Sequence, residues 1–318
     1  MNFSTIPRAL EQGIDGLILL NSMKMEWLKR EQHFYTRRAR TVGLLVFFLA
    51  GRPLAAVSGR SQADIEYGKA GEDRLLLDVS GPAGPGPFPV ALLVHGGGWT
   101  TGDKEGEIAR LAEFLGAEFT CFSVNYRLAP KYRWPACFDD VQTAVRWVKA
   151  HAAEYGGDPR RVALIGYSAG GHLVSCAAVR STEETRVGAV VGLAPPTDLE
   201  ADSERRGKVS RALQALLGLS SDGLDEKARA GLREISPSRR VRPDLPPFLL
   251  VHGTGDRSVA FEQSLRFQEK LRAAGVSCDL LPLPGAPHPM GDWEKSDPAY
   301  KEKIARWLKE TLGPAPRP

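Results

Sequence analysis

Ser168 stands in the run LIGYSAGGH over residues 164–172, a Gly-X-Ser-X-Gly pentapeptide entered from an apolar stretch and left through residues that suit a helix. A sharp turn between a strand and a helix lifts a serine hydroxyl above the sheet edge, and small flanking residues permit the strained backbone this needs. The first amides of the following helix lack partners and point, with the positive end of the helix dipole, at the reacting atom. The chemistry such a serine serves is nucleophilic attack on a carbonyl. Glycine makes up 33 of the 318 residues, so the pentapeptide alone discriminates weakly, and the strand-turn-helix context carries the reading.

A serine hydroxyl attacks at neutral pH only if a base takes its proton, and a neutral imidazole is the usual base. Of the six histidines, His33 lies near the N-terminus and His151 near the end of a predicted helix. His95 and His252 each close a predicted strand, a place for loop support. His172 follows Ser168 by one helical turn and would pack or line the pocket. His288, in PGAPHPM at 284–290, comes directly after the last predicted strand, where its side chain can swing over the sheet edge. The base needs a carboxylate to hold its tautomer. Asp256, in VHGTGDRSV at 251–259, sits just past a predicted strand and one crossover before His288. Asp198, in PTDL at 196–199, is the rival, although its setting resembles a turn or helix cap. The oxyanion formed on attack needs converging amides. His95, Gly96, Gly97, Gly98 and Trp99 follow a predicted strand and present three glycines in a row, and the amide of Ala169 would complete such a hole.

These residues require a frame. Short apolar runs at 90–94, 119–124, 162–165, 187–193, 248–251 and 278–281 predict strands buried on both faces, as in a parallel sheet. Runs at 65–67 and 75–79 predict an antiparallel edge hairpin, ended by the proline- and glycine-rich stretch 81–87. Helices are predicted at 107–116, 135–151, 169–180, 259–274 and 299–311. In the second of these, Val141, Ala144, Val145 and Val148 recur at helical spacing. Residues 198–245 are about twice as long as a crossover helix needs. They predict a small cap with helices at 205–217 and 225–235, set over the carboxyl edge of the sheet, or else a lengthened crossover remote from the chemistry.

The whole chain carries a formal charge of +4, but eight basic and four acidic residues fall within 1–58, which leaves 34 of each sign from 59 onward. The main body therefore offers no electrostatic footprint for nucleic acid. Within 1–58, Arg37, Arg38 and Arg40 precede an apolar run at 42–50 and the small-residue stretch 54–58. That is the layout of a secretory signal peptide over about 37–58 with cleavage after Ser58, and it implies a secreted or periplasmic protein. An uncleaved amphipathic or membrane-anchored N-terminus is the other reading. The run is too short for a bilayer span, which takes about 20 residues. Cys121, Cys137, Cys176 and Cys278 lack metal-type spacing and read as small buried residues, so no metal site is expected.

With HGGGW at 95–99, NYRLAP at 125–130, GYSAGG at 166–171 and the order serine, aspartate, histidine, the chain resembles α/β-hydrolase esterases from about residue 64 to 312. Within these it is most similar to the hormone-sensitive-lipase-like and the feruloyl or acetyl-xylan esterase-like carboxylesterases. The resemblance implies an α/β-hydrolase fold, a mostly parallel eight-stranded sheet with helices on both faces and a small cap. It implies Ser168 as nucleophile, His288 as base and then acid, Asp256 as its partner, and Gly97, Gly98 and Ala169 as oxyanion donors, with 125–130 shaping the loop beside the pocket and no cofactor. Pro287 and Pro289 bracket His288 where glycine is more usual in such enzymes. Trp99, Tyr167, His172 and the cap would line the substrate pocket, with Met290 and Trp293 at its rim. Small acetyl or feruloyl-type esters, free or linked to polysaccharide, are the substrates this suggests. An amidase or peptidase with the same triad, or a non-catalytic binding protein on the same fold, are the alternatives; the last typically lacks a triad member.

Overall fold

The computed structural model describes residues 59–314, so the expected leader over 1–58 and its export signal lie outside the described residues. Eight strands form one sheet in the order β1-β2-β4-β3-β5-β6-β7-β8. β1 (Arg60–Ala70) and β2 (Asp73–Gly81) make the antiparallel hairpin, and β2 pairs antiparallel with β4 (Thr120–Val124). All remaining pairs, among β3 (Phe88–Val94), β4, β5 (Gly157–Tyr167), β6 (Ala189–Leu193), β7 (Phe248–Gly253) and β8 (Cys278–Leu283), are parallel. β4 and β6 are buried at every residue, as strands covered on both faces must be.

The helices supply that cover. On one face, Ile108, Leu111 and Leu115 of α1 (Glu107–Leu115) and Ile304 and Leu308 of α9 (Tyr300–Leu312) join Leu93, Ile165, Val191 and Val251 in one core. On the other face lie the buried sides of α2 (Ala136–His151), α3 (Ala169–Val179) and α7 (Glu262–Ala273), with Phe267 edge-on to Phe248. Each fully buried leucine in these layers contributes roughly 1.5–3 kcal/mol relative to exposure.

Register decides where loops emerge. Val94 pairs with Gly166, Tyr167 with Leu193, and Gly253 with Leu283. The segments that follow β3, β5, β7 and β8 therefore leave the sheet at one carboxyl edge, where open α/β sheets place their sites.

Residues 198–245 depart from expectation in one respect. The helix predicted over 205–217 is two helices, α4 (Leu199–Arg206) and α5 (Arg211–Leu217), followed by α6 (Glu226–Ile235). Gly207 breaks it by taking a left-handed φ of 70°, and Ser210 starts α5 by accepting the Leu213 amide. A short α8 (Trp293–Ser296) follows the His288 loop. Leu216 of α5 accepts the Trp134 amide at 2.9 Å, and Ala212 abuts Gly98, so this segment lies on the 95–99 loop rather than remote from it.

Candidate active site

Ser168 occupies the turn between β5 and α3 with φ 52° and ψ −116°. Such a backbone costs on the order of 1–3 kcal/mol and persists only where its surroundings hold it. They do: its amide donates to Leu193 O at 2.8 Å and its carbonyl accepts from His172 N at 2.9 Å. The motif glycines are required by close approach. A Cβ on Gly166 would lie 2.2 Å from Gly170 O, and one on Gly170 would lie 2.1 Å from Val94 O.

The turn brings three side chains into line. Ser168 Oγ lies 2.9 Å from His288 Nε2, and His288 Nδ1 lies 2.6 Å from Asp256 Oδ2. A carboxylate facing Nδ1 puts the ring proton there, which leaves the Nε2 lone pair to accept the hydroxyl proton. Asp256 Oδ1 accepts the amides of Ser258 and Val259 at 2.8 and 2.9 Å. Burial pushes the Asp256 carboxyl up, but donors from His252 and His288 and the Val259 amide outweigh it and hold the carboxyl well below the usual range. The rival Asp198 is engaged elsewhere: it caps α4 through the Ala201 amide and accepts from Ser238 Oγ and Lys270 Nζ.

Gly97 and Gly98, expected as oxyanion donors, take φ values of 106° and 59°. The Gly97 carbonyl accepts the amides of Thr100 and Thr101, closing a tight turn. Among the described residues the amides of Gly97 and Gly98 have no protein acceptor. The 125–130 run props this loop. Ala129 N donates to Trp99 O at 2.9 Å, Tyr126 Oη donates to His95 O at 3.1 Å, and the Tyr126 ring stacks on His95 at 4.2 Å. Ala169, buried at the first position of α3, places its amide beside the serine. A cavity of about 600 Å³ runs along 73–75 and 125–132, and its lining includes none of Ser168, Asp256 and His288.

The expected pocket residues are largely supports. His172 is fully buried, with Nδ1 accepting from Trp99 Nε1 at 3.2 Å and Nε2 donating to Ile235 O of α6 at 2.7 Å. Burial lowers its pKa to about 4, so it is a neutral link between the glycine loop and the cap. Trp293 is also fully buried: it packs edge-on to Tyr167 and donates Nε1 to Pro287 O at 2.8 Å. Met290 belongs to the core under the same loop. His172, expected at the pocket lining, and Trp293 and Met290, expected at its rim, are instead buried, His172 under Ile235 and the other two in the core beside Tyr167. Tyr167 stacks on His288 at 5.3 Å and donates its hydroxyl to His288 O at 2.9 Å. His252, set aside as loop support, lies 3.3 Å from Asp256 Oδ2. The signal for it was a histidine four residues before the aspartate on one turn.

The four cysteines are buried and unpaired. Among the described residues no group of three or more His, Cys, Asp or Glu could hold a metal ion, and no helix is long and apolar enough to cross a membrane.

Strand order, serine turn and the line of three side chains define an α/β-hydrolase. The chain belongs to the BD-FAE family, whose model matches residues 77–271. It is 36% identical over 217 residues to Esterase LipC of Mycobacterium tuberculosis, covering 64% of this chain and 53% of LipC. Carboxylesterase NlhH of the same species is 34% identical over 233 residues, covering 70% of this chain and 72% of NlhH. The chain thus spans about half the length of some curated relatives, LipC among them. Among solved structures, the thermophilic esterase Est2 of Thermogutta terrifontis aligns with a TM-score of 0.64 at 26% identity, covering 81% of this chain and 94% of that one. Forms of Est2 with propionate and with butyrate bound align similarly.

Proposed function

We propose that the protein is a serine carboxylesterase that hydrolyses small acyl esters through an acyl-enzyme on Ser168. The observation that carries this is the unbroken hydrogen-bonded line from Ser168 Oγ through His288 to Asp256. His288 Nε2 takes the hydroxyl proton as Oγ attacks the ester carbonyl. The amides of Gly97, Gly98 and Ala169 receive the oxyanion, and His288 then protonates the departing alcohol. Water, deprotonated by the same imidazole, attacks the acyl-enzyme and releases the acid and Ser168. Asp256 stays ionised throughout and stabilises the imidazolium.

Two considerations favour a short acyl group. Est2, with its bound propionate and butyrate, is built alike, and α5 closes directly on the glycine loop through Ala212. Acetyl esters within that class, and feruloyl-type esters beside it, are the substrates proposed. Ser168→Ala should lower hydrolysis of p-nitrophenyl acetate by at least about 10⁴-fold while the protein stays folded. Retention of most of the activity would refute the nucleophile. A panel of p-nitrophenyl acetate, butyrate and octanoate with methyl ferulate and acetylated xylan tests the acyl preference, and a preference for octanoate would overturn it. We also propose export, from the layout of residues 37–58; sequencing the mature N-terminus from the native host checks it, and an intact residue 1 would refute it.

A further inference from the structure

Asp256 has a second imidazole. His252, at the end of β7, is fully buried with its ring edge-on to Phe261. Its Nε2 lies 3.0 Å from Val259 O and 3.3 Å from Asp256 Oδ2, and its Nδ1 lies 2.7 Å from Ser264 Oγ. Two oxygens that can only accept face Nε2, so that nitrogen carries the proton. Nδ1 is then the acceptor for the Ser264 hydroxyl, itself buried on α7. The opposite tautomer would set a nitrogen lone pair against both oxygens.

We infer that His252 is a positioning residue for the reaction, sharing its Nε2 proton between Val259 O and Asp256 Oδ2 and so aiming that oxygen at His288 Nδ1. The inference rests on Asp256 being the carboxylate that orients the base. Physical need supports it. The Asp256 side chain is wholly buried, and a buried carboxylate is tolerated only when its lone pairs are met. Oδ1 is met by two fixed amides, but Oδ2 would otherwise depend on His288 alone. His288 must exchange its partner at Nε2 during each turnover, so it is the less constant of the two donors. His252, braced by Ser264 and Val259, takes no part in the proton transfers and holds the carboxylate rotamer while His288 works. Among the donors that lower the Asp256 pKa against burial, His252 stands ahead of His288.

The test separates a proton from a shape. Gln at 252 can place an amide N–H near the position of Nε2, whereas Phe keeps the ring and removes the donor. His252→Phe should lower kcat for p-nitrophenyl acetate by about 10- to 100-fold with KM within about twofold, and His252→Gln should recover most of the loss. In an Asp256→Asn background His252→Phe should cost nothing more, because it acts through the carboxylate. A folded His252→Phe enzyme with kcat within twofold of the parent would overturn the inference, as would a Gln variant no better than Phe. If His252→Phe fails to fold, Ser264→Ala carries the test through the fixed tautomer: a several-fold loss in kcat supports the role and an unchanged kcat overturns it. An Asp256→Asn enzyme with full activity would instead remove the orienting role of Asp256 itself, a distinguishable failure.

Discussion

The two aspartates that compete as partner of the base differ in what their oxygens already do. Asp256 gives one oxygen to His288 and the other to two amides, whereas Asp198 is occupied by the Ala201 amide, Ser238 and Lys270. Asp256→Asn should therefore lower kcat/KM for p-nitrophenyl acetate by about 10⁴-fold, as expected when the imidazole loses its tautomer. Asp198→Asn should leave the rate within about twofold, because asparagine still caps a helix well. A large rate loss in the second variant, with the first active, would reverse the assignment. At this scale the sequence was legible wherever the backbone dictates position: a serine between required glycines, and an aspartate and a histidine just past successive buried strands. It was not legible for His172, Met290 and Trp293. Their burial depends on Ile235 over His172, on Tyr167 against Trp293 and on the core around Met290, contacts between residues far apart in sequence.

At the scale of elements, uniformly apolar strands announced themselves, while the outer half of the edge strand and the break within the cap did not. The first five residues of β1 are exposed, so that half of the strand is held by backbone pairing with β2 and shows no apolar alternation. The break at Gly207 was hidden because charged residues on both sides of it suit a helix. What holds the cap is a carboxylate: Glu200 of α4, nearly buried, accepts from Arg233 and Arg239 at 2.9 Å each and lies 3.7 Å from Arg229. It joins α4 to α6 and to the turn after it. The arginines are partly solvated, which reduces what each contact contributes, yet removing the shared acceptor strands several donors at once. Glu200→Ala should lower the unfolding free energy by about 1–3 kcal/mol. It should also open 198–245 to limited proteolysis before the rest of the domain. Wild-type cleavage kinetics in that interval would show that the network does not fasten the cap.

The molecule as a whole folds around histidines that it must keep uncharged. Burial lowers the pKa of His172 to about 4 and also lowers that of His95, the latter only partly offset by its bond to Gly96. In the unfolded chain both return to the ordinary value near 6.5. Between that value and the folded one, the unfolded state binds protons that the native state refuses, so stability falls as pH drops through this window. For His172 the full penalty is about 3 kcal/mol, complete near pH 4. Below that the carboxylates take over with the same sign. For Asp256 and Asp158, burial raises the pKa but hydrogen-bonded partners outweigh it, so the folded values lie below the unfolded ones and their contribution is lost in stronger acid. The urea midpoint should accordingly be flat from pH 8 to 7, decline from about 6.5 to 4, and fall further below. His172→Phe, which cannot accept from Trp99, should be less stable at pH 8 yet show a shallower decline between pH 6.5 and 4, since one proton no longer distinguishes the two states. Parallel curves for the variant and the parent across that interval would mean that His172 is not the buried neutral group linking the glycine loop to the cap.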